Sequence, residues 1–88
     1  MYHVYILYSL KDRKLYIGHT DNLKDRLTKH NNGEVRSTKN RRPLVLIYSE
    51  IFKSRSVAMR REKFLKSLYS AKLKKKILKD YLRRNSPK

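Results

Sequence analysis

The stretch that decides the fold is residues 2–30, YHVYILYSLKDRKLYIGHTDNLKDRLTKH. Residues 2–9 are rich in aromatic and β-branched side chains and contain no Gly or Pro, which predicts a strand. After a short polar segment, residues 15–18 repeat the strand pattern, so the two runs predict an antiparallel hairpin. Gly18 weakens a strand interior, and a glycine in such a position marks a bulge or a close approach to the backbone.

A short helix is predicted directly after the hairpin, over about residues 22–32. Residues 20–22 are Thr, Asp and Asn, which supply acceptors for the free amides of a helix start. Gly33 can take the left-handed conformation that ends a helix. Arg26 and His30 are four residues apart, so they lie on one face of this helix.

The remaining chain predicts one more strand and two more helices. Residues 34–42 form a polar, basic loop, and residues 44–48 are apolar at every position, which predicts a strand buried on both faces at the centre of the sheet. Ser54 or Ser56 starts a second helix that runs to about Leu68, and Ser70 starts a third. The predicted core positions of these helices are Val57, Phe64, Leu65, Leu68, Leu73, Ile77 and Tyr81.

The element order is therefore β-β-α-β-α-α. Three strands are too few for a doubly wound sheet, so we predict an α/β (α+β) fold with a small antiparallel or mixed sheet and flanking helices. A chain of 88 residues makes one domain. We expect this domain to span residues 1–82, followed by a basic, frayed tail at residues 83–88.

Charge is the strongest compositional signal. The chain has 24 Lys and Arg against 7 Asp and Glu, a formal net charge of +17. Such a charge predicts a nucleic-acid partner, DNA first, with RNA left open. Binding to anionic lipid is the weaker alternative, because it requires a strongly amphipathic helix with large apolar residues.

The missing residue types restrict the chemistry and the location. The chain has no cysteine, which excludes disulfides, thiolate zinc sites and a cysteine nucleophile. Any metal would be held by carboxylate, imidazole or water, and oxygen ligands suit Mg²⁺ or Mn²⁺. No apolar run approaches the ~20 residues needed to span a bilayer, and no signal-peptide pattern begins the chain, so we expect a soluble, cytoplasmic protein.

Several residues, taken in order, resemble a known family. Tyr5 in His3-Val4-Tyr5 and the triplet Tyr16-Ile17-Gly18, followed by Arg26, His30 and a later helical Glu62, are similar to the motifs of the GIY-YIG nuclease domain. The short length and the stretch 58–63, AMRREK, further resemble small stand-alone bacterial GIY-YIG proteins. This resemblance extends to about Leu82 and implies metal-dependent hydrolysis of phosphodiester bonds in DNA.

The resemblance also implies one concave site on the sheet, formed by Tyr5, Tyr16, Arg26 and Glu62. Arginine provides a planar cationic fork that matches phosphate oxygens, and a carboxylate can hold a divalent cation at the scissile phosphate. We expect Glu62 to be the metal ligand and His30 to support the site.

His19, directly after the YIG triplet, falls where some relatives place a lysine, and we expect it to assist proton transfer or contact phosphate. A tyrosine hydroxyl or an imidazole can accept the proton of the attacking water. The sequence leaves this acceptor open between Tyr5, Tyr16, His19 and His30.

The chain departs from the family pattern at two places. The first motif is HVY rather than GIY, and no Asn follows Glu62 at the interval where many members carry one. Glu62 also precedes Lys66 by four residues, so an exposed ion pair is an alternative role for it. A protein that binds nucleic acid without cutting it, or a small basic subunit of a ribonucleoprotein, are therefore alternative functions.

No sequence-reading DNA-binding module is appended, so we expect contacts mainly to phosphate and little sequence specificity. The residues predicted to bind nucleic acid are Arg36, Lys39, Arg41, Arg42, Lys72, Lys75 and Lys76.

Overall fold

The structure, a computed structural model, describes residues 1–85. Its strands are β1 (Tyr2–Ser9), β2 (Leu15–Thr20) and β3 (Leu44–Phe52). Its α-helices are α1 (Leu23–Asn31), α2 (Arg55–Lys66) and α3 (Ala71–Arg84). Two single 3₁₀ turns lie at Lys39–Arg41 and Leu68–Ser70. The predicted order β-β-α-β-α-α is confirmed.

The three strands form one antiparallel sheet in the order β2-β1-β3. The centre is therefore β1, and the prediction that β3 is central is wrong. Residues 4–9 of β1 are all buried, whereas Ser49 and Ile51 of β3 are exposed. A strand that is apolar at both odd and even positions has both of its faces covered. This pattern does not indicate how many strands lie beside it in the sheet.

The two faces of β1 pack against different helices. Val4, Ile6 and Tyr8 lie in the larger core cluster with residues of α2 and α3, whereas Tyr5 and Leu7 lie in a smaller cluster with residues of α1. The sheet therefore separates α1 on one face from α2 and α3 on the other.

The predicted core of α2 is partly wrong. Leu65 is fully buried, together with Ala58, but Val57 and Phe64 are exposed and Leu68 is 92% exposed. The helix ends at Lys66, so Leu68 falls in the following 3₁₀ turn and leaves the helical phase that would have buried it. In α3, Ile77 is buried, and Leu73 and Tyr81 pack beside it as predicted.

The helix ends follow the sequence signals closely. The Asn22 side chain accepts from the Asp25 amide at the start of α1, and Gly33 has a φ of 78° after its end. Helix α3 continues through Arg84, so Arg83 and Arg84 belong to the helix and not to the frayed tail that we predicted. Asn85 is the C-cap of α3, and the last residues of that predicted tail, 86–88, lie outside the described residues.

Candidate active site

Four of the predicted site residues meet on the α1 face of the sheet. The rings of Tyr5 and Tyr16 have centroids 6.3 Å apart, and the His30 ring meets both edge-on at 5.7 and 5.1 Å. The Arg26 guanidinium lies close enough to the hydroxyls of Tyr5 and Tyr16 to act on them electrostatically. We call Tyr5, Tyr16, Arg26 and His30 the hydroxyl cluster.

Gly18 makes the position of Tyr5 possible. The two residues face each other across the β1–β2 pair. A Cβ atom at Gly18 would lie 2.5 Å from the Tyr5 hydroxyl oxygen and 2.7 Å from Cζ, well inside van der Waals contact. The β1 bulge lies elsewhere, between Ile6 and Leu7. Gly18 is therefore needed because the Tyr5 ring crosses its backbone.

A buried hydrogen-bond chain orients the tyrosine. The Thr38 hydroxyl lies 3.5 Å from the Val35 carbonyl, to which it donates, and 2.8 Å from Nδ1 of His30. Thr38 therefore accepts from His30 Nδ1–H, which leaves Nε2 to accept from the Tyr5 hydroxyl at 2.9 Å. Tyr5 thus points its proton inward, toward His30.

Burial keeps this chain neutral. Tyr5 is 1% exposed and His30 is 0% exposed. Burial, helped by the nearby positive charge of Arg26, lowers the pKa of His30 to about 4. Burial also raises the pKa of Tyr5, although the adjacent Arg26 opposes that rise. At neutral pH the phenol and the imidazole are both uncharged, and Arg26 carries the only charge of the cluster.

Glu62 lies on the other side of the sheet, on α2. Its Oε1 accepts from Nδ1 of His19 at 2.5 Å, and its Oε2 accepts from the Lys66 ammonium at 2.9 Å. Its side chain is 16% exposed. The charge of Glu62 contributes to the raised pKa of Tyr5, so the carboxylate is within electrostatic reach of the hydroxyl cluster.

These contacts keep Glu62 ionised. Burial alone would raise the pKa of Glu62, but hydrogen bonds from Lys66 and His19 outweigh it and hold the pKa below its ordinary value. The ion pair with Lys66 that the sequence spacing offered as an alternative is present. It coexists with a second, more buried partner, His19, because residue 19 follows Gly18 and therefore points to the α2 face.

An ion pair next to Glu62 fixes α2 on the sheet. Arg61 donates two hydrogen bonds to the Glu50 carboxylate of β3, at 2.8 and 3.0 Å, and the Tyr48 hydroxyl donates to the same group at 2.5 Å. Burial would raise the pKa of Glu50, but these donors outweigh it and lower that pKa. The bidentate geometry restricts rotation of α2 and so sets the direction of Glu62.

Any divalent ion held by Glu62 would keep most of its water. Within residues 1–85, no three His, Asp or Glu side chains are grouped closely enough to enclose a metal. Mg²⁺ often binds through one or two carboxylates together with water and substrate phosphate. Glu62, ionised and lining an open groove of about 280 Å³ with Met59, Lys63 and Lys66, can supply one such ligand.

The residues predicted to bind nucleic acid are distributed over both faces. Lys72, Lys75 and Lys76 are exposed on α3, and Arg36 and Lys39 are exposed in the loop after α1.

Two arginines of that loop are partly engaged in the fold. Arg41 pairs with Asp12 at 2.8 Å and donates to the Leu15 carbonyl at 3.3 Å, so it ties the loop to the β1–β2 turn. Arg42 donates to the Lys39 carbonyl and rests against Gly33 but remains exposed.

Sequence reasoning missed Thr38. It is fully buried and fixes the tautomer of His30, yet it lies in a loop that the sequence marks only as polar. No pattern signal distinguishes it from the neighbouring polar residues, because its importance depends on a contact eight positions back along the chain.

The β-β-α-β-α-α order, a small antiparallel sheet and the clustered Tyr, Arg and His side chains define a GIY-YIG domain. The family model described as the GIY-YIG catalytic domain matches residues 1–76. The chain therefore belongs to the GIY-YIG family, whose catalytic domains are typically nucleases.

The relatives place the chain within a narrower group. It is 44% identical to a UPF0213 protein of Staphylococcus haemolyticus over 80 residues, covering 90% of this chain and 95% of the relative. It is 43% identical to a UPF0213 protein of Natronomonas pharaonis over 72 residues, covering 81% and 84%. The solution NMR structure of the UPF0213 protein BH0048 from Bacillus halodurans matches over the full length of both chains, with a TM-score of 0.56 and 29% identity. Among residues 1–85, none of the helices has the length and apolarity to span a membrane.

Proposed function

We propose that this protein is a divalent-metal-dependent endonuclease that hydrolyses phosphodiester bonds in DNA with low sequence specificity. The observation that carries the proposal is the hydroxyl cluster, in which one permanently charged arginine lies beside two tyrosine hydroxyls, with the Glu62 carboxylate in electrostatic reach. Cleavage of a phosphodiester requires a phosphate clamp, a proton acceptor and charge neutralisation at the leaving oxygen.

Arg26 is the phosphate clamp in this proposal. Its guanidinium is partly exposed and its fork matches two phosphate oxygens. The guanidinium lies near the hydroxyls of Tyr5 and Tyr16. A phosphate is a stronger partner than a phenol because both members of the new pair are charged. Binding of DNA therefore draws Arg26 from the buried Tyr5 hydroxyl and opens that hydroxyl to water.

Tyr5 and His30 together take the proton of the attacking water. Tyr5 accepts it while its own proton passes inward to Nε2 of His30, along the existing hydrogen bond of 2.9 Å. The bound phosphate cancels the Arg26 charge, which is one of the two causes that lower the pKa of His30. His30 thus becomes more basic when substrate is present, and Tyr16, which is partly exposed, orients the water.

Glu62 would hold Mg²⁺ or Mn²⁺ in the Lys66 groove. When bound, such an ion neutralises negative charge on the scissile phosphate and the leaving oxygen. His19 keeps the carboxylate directed across the β2 edge through its hydrogen bond to Oε1. The exposed lysines of α3 and the basic loop contact the phosphates of the strand on either side of the cut.

Cleavage by wild type and by Glu62→Gln tests the proposal. Labelled single-stranded, nicked and branched DNA are incubated with protein and Mg²⁺ or Mn²⁺. We expect Glu62→Gln to cut at least about 10²-fold more slowly, by analogy with the loss of other charge-stabilising groups. The matched control is Glu34→Gln, which changes an exposed glutamate in the loop after α1 and should cut like wild type. Equal trace cleavage by wild type and Glu62→Gln would refute the catalytic claim.

A second candidate function is binding of nucleic acid without cleavage. Both Glu62 oxygens are occupied by protein donors, and the chain lacks the distal Asn of many family members. Such a protein would bind DNA tightly, and the logarithm of its binding constant would fall with the logarithm of the salt concentration by about 0.9 for each phosphate contact. Neither Arg26→Ala nor Glu62→Gln would change this slope by more than the equivalent of about one contact. Competition by RNA at fixed salt decides which polymer is preferred.

A further inference from the structure

The turn between α2 and α3 exposes two large side chains. Leu68 and Tyr69 are each 92% exposed, more than any other large apolar or aromatic side chain of residues 1–85. Single exposed apolar residues are common, but two adjacent ones at a projecting turn form a contiguous patch. We call Leu68 and Tyr69 the tip.

The tip is held by a fixed scaffold. The Ser70 hydroxyl is buried 2.9 Å from the carbonyls of both Leu65 and Ser67, between which its proton is shared. The Ser67 hydroxyl donates to the Phe64 carbonyl at 2.6 Å. The turn is therefore fixed to the end of α2, and its two side chains are presented to solvent.

The chain on either side of the tip carries only positive charges. Between residues 63 and 79 the chain has seven lysines and no acidic residue. These are Lys63, Lys66, Lys72, Lys74, Lys75, Lys76 and Lys79. A ligand that matches an aromatic point flanked along the chain by positive charge has a flat apolar face and neighbouring anions, which is the chemistry of a nucleobase between its phosphates.

The tip follows the proposed metal ligand closely along the chain. Leu68 lies six residues after Glu62, with the last turn of α2 and the start of the 3₁₀ turn between them. A lipid surface would offer the same combination of apolar and anionic groups, but membrane-binding helices bury a long apolar face, and here the apolar patch is two residues. The small size of the patch, together with the lysines on either side of it in the chain, favours DNA.

We infer that the tip is a stacking wedge for an unpaired base of DNA, with Tyr69 on the base face and Leu68 beside it. The inference rests on the proposed nuclease function and deepens it by naming the substrate class. In a fully paired duplex the tip would first have to unstack a base step, which costs free energy, so it gains most where a base is already free. The preferred substrate is therefore DNA with unpaired bases, such as a single strand, a flap or a gapped duplex.

Binding measured in EDTA tests the wedge without cleavage. Fluorescence anisotropy gives Kd for a gapped duplex and for a fully paired duplex of the same length, at one salt concentration. We expect Tyr69→Ala to weaken binding to the gapped duplex by roughly 5- to 150-fold and binding to the paired duplex by less than about twofold. Tyr69→Phe retains the ring and should bind both like wild type.

Two further arms complete the design. Leu10→Ala removes another exposed leucine, in the β1–β2 turn, and should change neither Kd. A 2-aminopurine at the unpaired position should change its fluorescence on binding wild type but not Tyr69→Ala.

Equal weakening of both duplexes by Tyr69→Ala, or no weakening of either, would overturn the inference. So would binding to phosphatidylglycerol vesicles that depends on Tyr69 while DNA binding does not. Failure of the nuclease proposal gives a different result: wild type and Glu62→Gln cleave alike, while the Tyr69-dependent preference in EDTA persists.

Discussion

The two sides of the sheet hold the site in opposite ways. On the α1 side, the hydroxyl cluster contains a neutral, fully buried hydrogen-bond chain from Tyr5 through His30 to Thr38. On the α2 side, Glu62 is a charged group whose partner Lys66 is 55% exposed. A buried chain keeps one arrangement because every lost hydrogen bond leaves an unsatisfied group, whereas an exposed ion pair exchanges at little cost.

The difference in burial and charge between the two sides indicates that they have different roles. In the proposed function, the α1 side would hold the proton acceptor in a fixed geometry before substrate arrives, and the α2 side would hold a carboxylate whose lysine partner a metal can replace. Gly18 is the place where the two sides meet, since the Tyr5 ring lies on its backbone and its neighbour His19 contacts Glu62.

Substitution of Gly18 should have the largest effect on stability and cleavage, because Gly18 contacts Tyr5 and adjoins His19, the partner of Glu62. In Gly18→Ala the new Cβ lies 2.5 Å from the Tyr5 hydroxyl, which is buried and cannot swing away. We expect a loss of about 1–3 kcal/mol in the free energy of unfolding and a drop in cleavage rate on the order of 10²-fold. Urea denaturation and the labelled-DNA cleavage assay give the two quantities.

The matched control is Ile17→Val, at the neighbouring position that points to the α2 face. It should cost about 0.5–1.5 kcal/mol in stability and leave cleavage unchanged under conditions where the protein is folded. If Gly18→Ala cleaved DNA at the wild-type rate, cleavage would not need Tyr5 at its observed position. Gly18 would then not connect the two sides of the sheet in function.

Local patterns predicted the hairpin, the helices and the element order because those signals depend on neighbouring residues. Asn22 and Gly33 bound α1 as expected, since capping and positive φ are local properties. The central strand was predicted wrongly because burial of β3 reports covered faces and not strand order. The burial of Leu68 was predicted wrongly because α2 ends before this residue, so Leu68 no longer lies on the buried face of the helix.

The candidate site was predictable in its residue types and only partly in its arrangement. The family resemblance grouped Tyr5, Tyr16, Arg26 and Glu62 in one concave site. The structure brings the first three together on one face and places Glu62 with His19 on the other. That separation depends on the alternation of β2, in which Gly18 and His19 point to opposite faces, and on a contact that spans 43 positions.

The pH dependence of stability should show the next largest effect, and it belongs to the α1 side. His30 has a pKa of about 4 in the folded protein and 6.5 as its ordinary value, so the unfolded chain binds more protons between these values. The free energy of unfolding should therefore be highest above pH 6.5. It should fall by up to roughly 3 kcal/mol as the pH falls from 6.5 to about 4 and His30 becomes protonated. Urea denaturation across this range measures it.

His30→Gln is the control for that measurement, because it removes the titrating group. Its stability should change far less than that of wild type between pH 6.5 and 5. The carboxylates of Glu50 and Glu62, whose pKa values are lowered, lose their stabilisation only at lower pH. Parallel pH profiles of wild type and His30→Gln in this window would show that His30 is not held neutral by burial.

The smallest effect is expected on the α2 side, from Lys66→Met. Loss of the exposed ion pair frees Oε2 of Glu62 and should change the free energy of unfolding by less than about 1 kcal/mol. In the proposed metal site Lys66 would compete with the ion for the same oxygen, so the Mg²⁺ concentration for half-maximal cleavage should fall by about twofold, the equivalent of an i,i+4 pair. Lys63→Met is matched in charge and position and makes no ion pair with Glu62 among the described residues, so its Mg²⁺ requirement should equal that of wild type. A higher requirement in Lys66→Met alone would mean that the lysine helps the carboxylate and does not compete for it, and the α2 side would then be as fixed as the α1 side.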